Sequence, residues 1–130
     1  MNVIEEIIAK LQNYPQVRYE SRDDWIRVLP TSQDGFPVEL FAGPNSWTIH
    51  FKGWHESFSD KEEALNCFAF GLSTHCRLKV ARLGRLEYKW TVESFEEGQW
   101  VEDSTTGLLI IPFWRKNIRY FQNEVIPGPS

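Results

Sequence analysis

The run Trp47-Thr48-Ile49-His50-Phe51-Lys52 alternates large apolar with polar side chains, and Leu86, Tyr88, Trp90 and Val92 do the same against Glu87, Lys89, Thr91 and Glu93. Successive side chains of an extended strand point to opposite faces. A period of two therefore describes a sheet with one face against a core and one in water. A chain with such a stretch in each half has to build its interior on a sheet, and every other segment must be fitted to that layer.

Two segments change period. NVIEEIIAKLQN sets Ile4, Ile7, Ile8 and Leu11 at helical spacing, with Asn2 placed to cap and Glu5 three residues later. Tyr14-Pro15 ends this helix, because the residue before proline is pushed out of helical geometry. A second helix starts near Ser59 or Asp60, where Ser59 and Glu62 have capping-box spacing. Its inner face comprises Ala64, Leu65, Phe68, Ala69 and Leu72, and it stops around Ser73.

The remaining segments read as strands and turns. DWIRVL is extended and apolar on both sides, TSQDGFP turns with Asp34-Gly35 at positive φ, and PVELFAG alternates again. FKGWHESF reads as a loop before the second helix. Further on, Leu78 and Val80 alternate with Lys79 and Ala81, Gly84 turns, and GQWVEDS forms a short strand. Thr106-Gly107 turns into LLIIPFW, a central strand weakened by Pro112, and a last strand runs from Asn117 to Glu124. The expected fold is α+β, mainly one antiparallel sheet of about six to eight strands with two helices packed on it. The order is helix, three or four strands, helix, four strands, in a single domain over residues 1–130 with 126–130 a frayed tail.

With 130 residues, 42% of them apolar, one core can be filled and whole-chain disorder is ruled out. A net charge of −4 disfavours phosphate-driven nucleic-acid binding. No apolar run approaches the roughly 20 residues of a membrane span. The opening segment carries Glu5 and Glu6 where an export signal would be basic, so no membrane association is expected. Cys67 and Cys76 match neither a disulfide framework nor a paired metal spacing, which points to a reducing cytoplasm.

Motifs for chemistry are sparse. Neither G-x-G-x-x-G nor G-x-x-x-x-G-K-[ST] nor G-x-S-x-G occurs, and no cofactor is expected. The pairs Asp23-Asp24, Glu62-Glu63, Glu96-Glu97 and Glu102-Asp103 are assigned to turns and helix starts, where solvation and capping explain them. Cys67 reads as a small core residue. Cys76 lies between His75 and Arg77, but neighbours on a strand point apart.

Aromatic residues make up 15% of the chain; those in inward phases belong to the core, and those outside them either fill the core as well or form an exposed patch or pocket. The preferred reading is a small binding or interaction module that contacts another protein, or its own copy, through an aromatic patch. Trp54 is its anchor and His55 and Glu56 its polar contacts, with Phe58 and Trp100 completing it. Two alternatives stand beside it. A small hydrolase, metal-dependent or acid–base, would use His50, His55 and Glu56. An anion or single-stranded nucleic-acid surface would use a basic sheet face, with Arg115, Lys116 and Arg119 joining Arg77 and Lys79.

Overall fold

The computed structural model describes residues 2–107 and 117–126, and among these the chain forms two helices and nine strands. Helix α1 (Val3–Leu11) begins where the Asn2 side chain accepts a hydrogen bond from the Glu5 amide at 2.8 Å. It buries Val3, Ile4, Ile7 and Leu11. Helix α2 (Lys61–Leu72) is capped by Asp60, whose carboxylate accepts from the Glu62 amide at 3.1 Å. Glu62 and Glu63 in its first turn face the positive end of the helix dipole. Its buried face is Ala64, Phe68, Gly71 and Leu72, whereas Ala69, expected inside, is exposed.

The first sheet is a meander of β1 (Tyr19–Arg22), β2 (Trp25–Val28), β3 (Val38–Ala42), β4 (Trp47–Phe51) and β5 (Trp54–Phe58), paired antiparallel in chain order. Asp23-Asp24 and Lys52-Gly53 are the two-residue connections of the first and last hairpins. Ile26, Val28, Val38, Leu40, Ile49 and Phe51 point inward and are fully buried. The opposite face carries Arg27, Glu39 and His50, half-buried. Helix α2 packs over β3, β4 and β5.

The second sheet has the order β8-β7-β6-β9, built from β6 (Cys76–Leu83), β7 (Leu86–Glu96), β8 (Gln99–Gly107) and β9 (Asn117–Phe121), all antiparallel. Cys76, Leu78, Val80, Val92 and Phe121 face inward and merge with the interior of the first sheet in one core. The sheets meet where β5 abuts β8. There the Trp54 indole N–H donates to Ser104 Oγ at 2.8 Å, and the His55 amide donates to Thr106 Oγ1 at 3.4 Å. The Thr106 hydroxyl thus meets the backbone N–H and carbonyl of His55 on the outer edge of β5, which would otherwise be open to pairing with another strand.

The α+β class and antiparallel pairing stand, but the arrangement differs from the expected single sheet of six to eight strands. Two sheets of five and four strands form, in the order helix, five strands, helix, four strands. The addition in the first half comes from β1 and from β5, which had read as a loop. Glu56 sits in the apolar phase between Trp54 and Phe58 and disguises the alternation of β5. Gly35 has no positive φ; its hydrogen is required because a Cβ there would crowd Asn123 Oδ1 and Pro30. Thr106-Gly107 belongs to β8 rather than to a turn. LLIIPFW falls within 108–116, outside the described residues. In the tail, Val125 and Ile126 are tied to α2 through amide hydrogen bonds to the Leu72 carbonyl.

Candidate functional site

Alternation along β6 to β9 sends His75, Arg77 and Lys79 to the face turned away from the core. Phe95, Glu93, Trp100, Glu102 and Tyr120 stand beside them in register. The rings form a continuous string. His75 meets Phe95 edge-on at 5.8 Å, Phe95 meets Trp100 at 5.2 Å, and the Arg77 guanidinium lies 4.5 Å from the Trp100 ring and 4.0 Å from that of Tyr120. Arg77 is held in this slot by Glu93, only 5% exposed, which accepts a hydrogen bond from Nε at 2.7 Å and forms an ion pair with the guanidinium NH2 at 2.5 Å. A carboxylate this buried is tolerated because it is paired and hydrogen-bonded by a planar fork. The outcome is a fixed cation between two rings, flanked by Phe95 at 37%, Tyr120 at 45% and Ile118 at 38% exposure.

A second feature is a cleft of about 280 Å³ where β5, α2 and the second sheet converge. Trp54, Phe58, Phe70 and Val92 contribute its apolar wall, and Glu56, Asn66 and Asp103 its polar groups. Asp103 is there because of a β-bulge. Val92 pairs with Ser104 and Glu93 with Glu102, leaving Asp103 without a partner in the ladder and free to be re-aimed. Cys67 lines the same cleft; burial, then the charges of Glu56 and Asp103, push its thiol up to about 12. Burial above all, with Cys67 and Asp103 adding to it, pushes the Cys76 thiol upward as well, so neither sulfur is activated as a nucleophile.

The five residues expected to form one patch are therefore distributed over three surfaces. Trp54, Glu56 and Phe58 line the cleft, with Trp54 only 3% exposed and stacked on Phe51 at 4.7 Å. His55 lies on the outer face of the first sheet, and Trp100 on the outer face of the second.

His50 and His55 are direct cross-strand partners with rings stacked at 5.3 Å. Burial and His55 lower the pKa of His50, while Glu39 opposes them. Glu56 pairs with Ile49 and projects to the other side, so the hydrolase constellation of His50, His55 and Glu56 is not assembled. Among the described residues no group of three or more His, Cys, Asp or Glu could hold a metal ion.

Of the residues expected on a basic face, Arg119 does not join Arg77 and Lys79. Arg119 pairs in register with Val80, on the side opposite Arg77 and Lys79, and it reaches the Gln33 carbonyl at 3.3 Å and Asp34 at 3.9 Å. Lys79 is paired with Glu102 at 3.3 Å. Arg115 and Lys116 lie outside the described residues.

Sequence reading overlooked Arg77 as an aromatic-flanked cation and Asp103 as a cleft residue. Alternation around Trp100 and Tyr120 carried the first signal once strand neighbours were known. The bulge that turns Asp103 inward has no sequence marker. Comparison with protein-family models, with curated proteins and with solved structures finds no match to this chain.

Proposed function

We propose that this chain is a protein-interaction module, and that its contact surface is the outer face of the four-stranded sheet, centred on Arg77, Trp100 and Tyr120. The partner is another protein or a second copy of the chain. The single observation that carries this reading is the guanidinium sandwiched between two rings, with exposed Phe95, Tyr120 and Ile118 around it. Trp, Tyr and Arg are the residues that dominate interface energetics, since they offer large contact area from stiff or pre-organised groups. Here Glu93 has already paid the ordering cost of Arg77, so docking does not have to immobilise it.

A reducing cytoplasmic setting belongs to the same reading and is supported by two unpaired thiols, Cys67 and Cys76. No helix among the described residues is long and apolar enough to cross a membrane.

The test is association of the purified chain with itself by light scattering across a concentration series, together with recovery of partners by cross-linking in its native host. Tyr120→Ser with Phe95→Ser should abolish the association found while leaving the melting curve close to that of the parent. Unaltered association in a folded double variant would reject this surface.

A further inference from the structure

The cleft between β5, α2 and β8 lies apart from the proposed interaction face and has its own chemistry. It offers ring atoms of Trp54, Phe58 and Phe70 below, and the carboxylates of Glu56 and Asp103 at an exposed rim. Among the described residues neither carboxylate takes part in a salt bridge or side-chain hydrogen bond. Lys52, Lys61 and Lys79 are each paired with another carboxylate, Glu87, Glu6 and Glu102 respectively. Two exposed acids at the rim of an aromatic floor, with no cation among the described residues paired to them, make the cleft a negative pocket.

We propose that this cleft is a binding site for a small organic ammonium ion. An apolar ligand would leave the two carboxylates uncompensated, and an anion would be repelled by them. A bare metal ion would need more ligands than converge here, because no group of three His, Cys, Asp or Glu is present among the described residues. An alkylammonium satisfies both halves of the site, its charge facing Glu56 and Asp103 and its methyl or methylene groups lying against the rings, where the ring quadrupole adds attraction. The volume of about 280 Å³ suits a ligand of a few heavy atoms rather than a cofactor.

The experiment is an NMR titration of the whole chain with tetramethylammonium and with choline, following the Trp54 indole N–H and the Asn66 side-chain amide. Matched sodium chloride and the uncharged choline isostere 3,3-dimethylbutanol serve as controls. Saturable shifts at both reporters with the ammonium ions, and affinity for the isostere lower by roughly fivefold to tenfold, are expected. A Glu56→Gln, Asp103→Asn variant, altered only at exposed positions, should keep its fold and lose the preference for the charged ligand. Equal binding of the isostere, non-saturating shifts, or an unchanged preference in that variant would overturn the proposal. Binding of Nα-acetyl-lysine amide without binding of either free ion would also overturn it, by assigning the pocket to a partner's side chain. The interaction face can fail its own test without affecting this one, since the two surfaces share no residue.

Discussion

At the scale of single residues, Asn123 shows how one polar side chain can organise an interior. It is 2% exposed, its Oδ1 accepts from the Phe36 amide at 3.0 Å, and its Nδ2 donates to the carbonyls of Phe36 at 3.0 Å and Gly71 at 2.9 Å. A loop, a helix end and the C-terminal segment are thereby joined with every group satisfied. Asn123→Ala leaves three buried backbone groups unpaired and should lower stability by about 3 kcal/mol in urea unfolding. Asn123→Asp should not rescue it, because a carboxylate cannot donate to two carbonyls. His50 makes a pH-dependent contribution. Its pKa lies below the ordinary 6.5 when folded, so as pH falls the unfolded chain takes up the proton first. Its share of stability is complete above 6.5 and is lost as pH falls from there through the folded-state value. In His55→Ala, NMR titration should find the His50 pKa raised toward 6.5 yet still below it, because burial is the larger cause. A value unmoved by removing His55 would contradict the electrostatic coupling of the stacked pair.

At the scale of elements, hairpin geometry decides which rings pack where. The Lys52-Gly53 connection between β4 and β5 lies directly against Trp90 of β7, and a Cβ on Gly53 would overlap the indole. Lys52 takes the left-handed conformation, φ 57°, to make this turn, and its ammonium reaches Glu87 at 3.3 Å. Gly53→Ala should cost roughly 1–3 kcal/mol of stability by overpacking. Combined with Trp90→Leu, which clears the space, the loss should be smaller than the sum of the two single losses; additive losses would mean that the contact does not limit packing. The bulge in β8 is the counterpart at the cleft. It redirects one carboxylate, and the same element supplies Trp100 to one face and Ser104 to the other.

At the scale of the whole molecule, residues of both helices and both sheets contribute to a single core, and side-chain hydrogen bonds link β5 to β8. Neither sheet has an interior of its own, so unfolding should be one transition, with tryptophan fluorescence and far-UV circular dichroism superimposing across a urea series. Two separated midpoints would show that the sheets fold as independent units. Period-two and helical patterns made both helices, the antiparallel class and most strand positions legible, since those patterns record which side of each element faces apolar surroundings. Trp54, Glu56 and Phe58 were legible only as neighbours in a loop; that they alternate along one strand and share a cleft came from the pairing of β5 with β4. Their union with Asp103, Cys67 and Phe70, and the separation of His55 and Trp100 onto other faces, were decided by tertiary structure alone. Local pattern specifies the direction of a side chain relative to its own backbone, whereas a site depends on which distant backbones approach one another, and that follows from how the complete set of apolar faces closes into one core.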